Sequence, residues 1–311
     1  MSVSFSVVTP CLDQAAFLPE AIRSASQQTQ PPIEHLVFDP GSSDGSRAIA
    51  ADAPSVTLIA EPDTGQSDAV TRGFGAAKGD VVAWLNADDR YPSARVFERV
   101  ARLFDVADPP HVVYGRGRYI TPDGDSRGDA FIFDDPSQLS WRLKTGVGLL
   151  QPAVFLHRRA LDLVGGLDAT LNYAMDYDFW IRLVQRGAEF AFLDEDLALA
   201  VVHSDSKTQS MRGDSIQEAI DVVRRHFGFV SWSWAMRQAD WELTGRPGLT
   251  TYGGDPLDPG DSQVSDQEIE ARAQRIFDGY NRNAKTVGRL LRPPWDRATI
   301  GTLRHLARRA T

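Results

Sequence analysis

Two aspartates side by side, Asp88 and Asp89, stand in the segment Asn86-Ala87-Asp88-Asp89, directly after the apolar run 81–85. Adjacent carboxylates repel one another and serve poorly as simple caps, whereas a hard divalent cation shared with a diphosphate neutralises both. An acidic surface loop is the competing reading, because loops use Asp freely. A further acid, Asp39, follows the run 35–38 and opens Pro40-Gly41-Ser42-Ser43-Asp44-Gly45-Ser46. That stretch also reads as an ordinary strand-to-helix turn with an N-cap, and it is not a G-x-G-x-x-G phosphate loop. The third acidic site is Met175-Asp176-Tyr177-Asp178-Phe179-Trp180, which starts a helix whose Ile181, Leu183 and Val184 suit a buried face. The helix dipole accounts for one carboxylate in a first turn and does not explain the second. His203, ahead of Ser204-Asp205-Ser206-Lys207, is either a metal ligand or phosphate contact, or a hydrogen-bonded structural residue.

These acids need elements to hold them. Short apolar runs at 5–8, 35–38, 56–59 and 81–85 alternate with helical patterns at 15–28, 46–52 and 67–77. That alternation predicts βαβ units and a parallel sheet covered on both faces, with ligands bound beyond the carboxyl ends of the strands. Strands are expected at 112–120 and 130–133 around the turn Pro122-Asp123-Gly124, at 153–157 and at 197–203, with a helix at 176–186. Residues 213–243 carry apolar side chains at helical spacing, 245–267 are rich in Pro, Gly and Asp, and the helical pattern resumes from Glu268 onward, broken at Pro293-Pro294.

With 311 residues and 42% hydrophobic content, the chain can fill the core of one large α/β domain with an appendage. No apolar stretch reaches the roughly 18 residues of a membrane span, and no secretion signal is expected at the start. The single cysteine, Cys11, excludes an internal disulfide and a cysteine-based zinc cluster, which fits a cytoplasmic setting. The net charge of −9 argues against nucleic acid as a partner, yet residues 271–311 carry +8 and the remainder −17.

Taken in order and spacing, these segments resemble the family 2 glycosyltransferases of the GT-A fold, over roughly two-thirds of the chain. Phe5-Ser6-Val7-Val8-Thr9-Pro10 is similar to the family's first strand and Phe17-Leu18-Pro19-Glu20-Ala21-Ile22-Arg23-Ser24 to its first helix. The stretch from Ile33 to Asp44-Gly45-Ser46 resembles the nucleotide-binding strand and turn. Glu61-Pro62-Asp63-Thr64-Gly65-Gln66-Ser67-Asp68-Ala69 resembles a stretch of its bacterial members, and Asn86-Ala87-Asp88-Asp89 the DxD-type metal motif. Gly165-Gly166-Leu167-Asp168 and Asp176-Tyr177-Asp178-Phe179-Trp180-Ile181-Arg182-Leu183 look like its acceptor-side signature.

The resemblance implies an α/β GT-A fold, with a Rossmann-like, mostly parallel sheet flanked by helices and a helical C-terminal extension. Residues 1–210 would form the transferase domain, 1–110 its nucleotide-binding half and 111–210 its acceptor half, and 211–311 the helical region with a loop near 245–267. It implies that Thr9, Pro10, Asp39 and Asp68 contact the nucleoside, that Asp89 binds the metal with Asp88 close to the ribose or diphosphate, and that Asp176 is the general base. His203 matches a histidine that approaches the metal or diphosphate, Lys207 lies in the phosphate-facing loop, and Asp178 is an acceptor-side or phosphate candidate. Cys11 and Asp13 stand where Tyr and Asn are frequent, Thr71 where Asn is common, and Met175 where Glu usually precedes the base.

The implied activity is metal-dependent, inverting and of hexosyltransferase type: one sugar passes from a nucleotide-diphosphate donor, a UDP-sugar, to a hydroxyl of a glycan or lipid-linked acceptor in bacterial surface glycan synthesis. Mn2+ or Mg2+ would serve as cofactor. No Gln-x-x-Arg-Trp signature of processive synthases follows Asp178. Two other readings stay open, a non-catalytic nucleotide-sugar-binding partner of another transferase and a nucleotidyltransferase. The basic amphipathic tail 289–309 would either lie on an anionic membrane, at the inner face, or pack on the protein or a second subunit, and the oligomeric state is left open.

Overall fold

A computed structural model describes residues 2–203, 212–245 and 264–282. Lys207, the tail 289–309 and most of the segment 245–267 lie outside these residues. In chain order the first elements are β1 (Phe5–Pro10), α1 (Leu18–Ser26), β2 (Glu34–Phe38), α2 (Ser46–Asp52), β3 (Val56–Ile59), α3 (Gln66–Ala76), β4 (Val81–Trp84) and α4 (Val96–Phe104). Next come β5 (Val112–Ile120), β6 (Ser126–Asp129), α5 (Leu139–Arg142), β7 (Val154–His157), α6 (Arg158–Val164), α7 (Met175–Gln185) and β8 (Phe190–Val201). The helices α8 (Arg212–Phe227), α9 (Trp232–Thr244) and α10 (Asp266–Asn281) complete the described chain.

The eight strands of the described residues form one sheet, ordered β3-β2-β1-β4-β7-β5-β6 with β8 on the other edge of β5. The first four strands run parallel, and helices cover both faces, so β4 is buried at every position instead of alternating. Side chains still divide by parity. Val8, Val82 and Trp84 join α3, α7 and α8 on one face, while Phe5, Val7, Val81 and Ala83 join α1 and α4 on the other. Gly73 lets α3 lie against β1, since a Cβ there would stand 2.2 Å from Val8 Cγ1.

Beyond β4 the sheet is mixed: β7 runs antiparallel to both β4 and β5, and β5 is parallel to β8. The strand expected at 130–133 is displaced to β6, which turns on Gly128 at φ 102°. After Ala130 the chain leaves the sheet, and the Phe133 N–H donates to the Gly148 carbonyl at 2.8 Å. The helical run 213–243 is two helices, because Gly228 (φ 74°) ends α8 and the Ser231 side chain then caps α9 by accepting from the Trp234 N–H. The last strand starts at Phe190, earlier than the apolar run indicates, with register shifts opposite Arg116.

The C-terminal helices join the core of the sheet. Trp234 packs on Tyr177, its indole N–H donating to the Tyr177 hydroxyl at 3.3 Å, and Val230 exchanges two hydrogen bonds with the Asn281 side chain. Among the described residues no helix is long and apolar enough to cross a membrane.

Candidate active site

The carboxyl ends of β1 and β4, the loop before β7, the start of α7 and one side of α8 and α9 enclose a cleft of about 480 Å³. One wall of the cleft starts at β1. Thr9 is buried and shares a 2.8 Å hydrogen bond with His35 Nε2, and burial pushes the His35 pKa down to about 4, so this pair is neutral. Pro10 and Cys11 follow and line the cleft, with the Cys11 thiol pushed up to about 12 chiefly by burial.

Two loops meet beside them. Asp13, held at φ 50°, accepts from the Ser43 N–H (2.8 Å), and Asp44 accepts from the Ala15 N–H (2.7 Å) and from Ser46. Asp39 is 1% exposed. Its Oδ1 accepts from the N–H groups of Gly41 and Ser42, while its buried Oδ2 has no hydrogen-bond partner. Pro40 lines the cleft and Asp39 stands behind it. Asp68 is also outside the lining, where its carboxylate caps the entry to α3 by accepting from the Thr64 N–H at 3.0 Å.

The acidic pair sits at the end of β4, and both members line the cleft. Asp89 accepts from Asn86 Nδ2 (3.1 Å) and from the Val201 N–H (3.3 Å). Burial, and then the neighbouring charge of Asp88, hold its carboxyl well above the usual carboxylate range. His203 stacks on Phe17 and places Nε2 3.2 Å from Asp88. Among the described residues no three His, Cys, Asp or Glu side chains are gathered so as to hold a metal alone.

Asp176 lies on another wall of the same cleft, in the first turn of α7. Its pKa is raised to about 6, mainly by burial, with a smaller push from Glu218 and an opposing pull from the Tyr177 N–H. Asp178 is not in the lining. It is bound by Arg182 Nε at 2.6 Å and His226 Nε2 at 2.7 Å, and Arg182 also donates to the carbonyls of Val164 and Gly166. These bonds fix α7 against α6 and α8. The structure therefore brings Pro10, Asp88, Asp89 and Asp176 to one cleft, with His203 behind Asp88, and leaves Thr9, Asp39, Asp68 and Asp178 in supporting positions around it.

Asn86, which the sequence offers only as the first residue of the acidic segment, is a hub. Its Oδ1 accepts from Trp84 Nε1 (2.9 Å) and Gln66 Nε2 (3.0 Å), and its Nδ2 donates to Asp89 and to Gln151 (2.9 Å). Its place at a strand end was the available signal. Glu218 and Arg237, contributed by α8 and α9, gave none, since each sits within an amphipathic helix far along the chain.

Residues 6–162 match the family described as glycosyl transferase family 2. A PGL/p-HBAD biosynthesis glycosyltransferase of Mycobacterium bovis (strain BCG / Pasteur 1173P2) is 33% identical over 184 residues, spanning 57% of this chain and 68% of that protein. Two solved structures have a similar fold. S. aureus TarS in complex with UDP-GlcNAc gives a TM-score of 0.58 at 16% identity, covering 98% of this chain and 90% of that one. A longer TarS structure is covered over 55% of its length. The mannosyltransferase PcManGT from Pyrobaculum calidifontis, in complex with GDP-Man and Mn2+, gives 0.56 at 16% identity, covering 99% and 86%. The mixed sheet with flanking helices is a GT-A fold with a helical C-terminal region. The chain belongs to glycosyl transferase family 2.

Proposed function

We propose that this glycosyltransferase moves a single sugar from a UDP-sugar to an acceptor hydroxyl with inversion at the anomeric carbon, in the synthesis of a bacterial surface glycan. The observation that carries the reading is the meeting of Asp176 and the Asp88–Asp89 pair on different walls of one cleft. In this mechanism the acceptor oxygen attacks the anomeric carbon as the bond to the diphosphate breaks on the opposite face, and Asp176 takes the acceptor proton. A carboxyl with a pKa of about 6 is mostly ionised at neutral pH, yet it is a stronger base than an ordinary aspartate.

The donor set suits a hard cation, Mn2+ or Mg2+. Asp89 carries a buried carboxyl beside a second acid, an arrangement that a cation stabilises, and among the described residues no three such side chains are gathered to hold it alone. Asp89 and Asp88 would hold it together with the donor phosphates, and when bound it supplies charge neutralisation for the departing diphosphate. On the nucleoside side, the unpartnered Oδ2 of Asp39 is an acceptor suited to a base N–H. The solved UDP-GlcNAc and GDP-Man complexes of fold neighbours are the reason to screen both kinds of donor.

Release of nucleoside diphosphate from UDP-glucose, UDP-N-acetylglucosamine and GDP-mannose, with and without Mn2+, tests the donor and the metal. Asp39→Ala should weaken calorimetric UDP binding by about tenfold or more through the loss of a buried hydrogen bond. Product NMR showing a retained anomeric configuration would sink the inverting mechanism. The basic tail 289–309 is proposed to bring the enzyme to a lipid-linked acceptor at a membrane surface. Equal flotation with anionic liposomes after removal of residues 293–311 would overturn that part.

A further inference from the structure

Glu218 stands in the middle of α8, away from every segment that the family resemblance picks out. Its carboxylate grips the chain just ahead of α7. The N–H of Asn172 lies 2.9 Å from Oε1 and 3.2 Å from Oε2, the N–H of Tyr173 is 2.6 Å from Oε2, and the N–H of Ala174 is 2.7 Å from Oε2. Three consecutive backbone donors are thus collected by one side chain. Asn172, Tyr173 and Ala174 line the cleft together with Asp176, and so do Ser215, Ile216 and Ala219 of α8. The other end of this loop is tied to α3, where the Ser67 hydroxyl donates to the Leu171 carbonyl at 3.1 Å.

The start of α7 has little other acid to spare. Met175 is apolar and buried in the core, and Asp178 is taken up by Arg182 and His226. We infer that Glu218 is the positioning residue for Asp176: it fixes the 172–174 loop so that the Asp176 carboxylate is presented to the cleft, and it supplies the neighbouring negative charge from α8. The inference rests on the reading of Asp176 as the base.

The groups around Asp176 separate in character. On its own helix the Tyr177 N–H donates to it. From α8 comes Glu218, whose charge adds to the effect of burial in raising its proton affinity. Arg237 of α9 lines the cleft with Nη1 on the Thr145 carbonyl (2.7 Å), and Asp88 and Asp89 lie on the β4 wall. Removing the Glu218 charge therefore has a direction: Asp176 becomes easier to ionise.

The test uses the full chain as wild type, Glu218→Gln, Glu218→Asp and Asp176→Asn. Aspartate 13C-carboxyl NMR titration reads the Asp176 midpoint directly, with Asp176→Asn assigning the signal, and amide exchange reads residues 172–174. Glu218→Gln should move the midpoint to lower pH and speed exchange of those three amides by about tenfold, while calorimetric UDP binding stays unchanged. Glu218→Asp, which keeps the charge on a shorter arm, should hold the midpoint near its wild-type value and still speed exchange. An unmoved midpoint together with unchanged exchange in Glu218→Gln overturns the inference. If that variant does not fold, unchanged exchange in Glu218→Asp overturns it instead. Failure of the base assignment is read elsewhere, as transfer that survives Asp176→Asn, so the two failures are distinguishable.

Discussion

At the scale of single residues, the proposed mechanism makes Asp176 a group through which activity and stability are coupled. Its folded pKa of about 6 lies above the ordinary carboxylate value, so folding favours its protonated form. That contribution is complete below about pH 4 and is lost as the pH rises through 6. Asp176→Asn should therefore stabilise the protein at pH 8 by on the order of 1–3 kcal/mol and leave it little changed at pH 4, as read by urea unfolding at both values. The same substitution should lower kcat by roughly 10²–10⁴-fold, and the wild-type kcat profile should carry an acid limb near pH 6. Asp176 and the Asp88–Asp89 pair were legible in the sequence because each stands at an element boundary where one acid suffices for capping. Asn86 and Glu218 were not, since their importance lies in which backbone and side-chain groups they meet across 65 and 44 to 46 residues of chain.

At the scale of elements, α7 carries the proposed base, Asp176. Tyr177 and Trp180 bury its inner face, and the Asp178–Arg182–His226 cluster fixes its rotation against α6 and α8. Asp178→Ala leaves the Arg182 guanidinium unpaired in a half-buried position. It should cost about 2–4 kcal/mol in chemical denaturation, less than a fully enclosed pair because Arg182 keeps some contact with water. Gly73→Ala should cost about 1–3 kcal/mol by the same measurement, because the new methyl runs into Val8 where α3 meets β1. The parallel half of the sheet was readable because its strands form largely apolar runs, broken only by Ser6, His35 and Thr57 in the runs 5–8, 35–38 and 56–59. β8 was harder, for its Phe-Ala-Phe-Leu-Asp-Glu-Asp stretch is only partly buried and crosses two register shifts. The pause between α8 and α9 was hidden because apolar spacing continues through Gly228 with Phe227, Phe229 and Val230.

At the scale of the whole molecule, the C-terminal helices belong to the working body of the enzyme. α8 supplies Ala219, Ile220, Val222 and Val223 to the same core as Val8 and Trp84, and α9 adds Trp234. A chain ending at His203 would lose the wall of the cleft that carries Glu218 and would uncover Tyr177, on which Trp234 packs. It should accumulate as insoluble protein, and a soluble, cooperatively melting product of that length would contradict this. The family match ends at residue 162, so the cleft walls built by α7, α8 and α9 lie beyond it.

One small feature ties these scales together. Arg90 and Leu199 exchange two backbone hydrogen bonds, 3.0 and 2.8 Å long, forming an isolated antiparallel bridge between the loop after β4 and the end of β8. The loop with the acidic pair is thereby clasped to the end of β8, so that on the proposed mechanism an adjustment of the loop on donor binding would be felt at His203. The Arg90 and Leu199 amides are natural reporters of that event. Their exchange should slow together when UDP and Mn2+ are added, and slowing of one without the other would show the clasp to be looser than its geometry indicates.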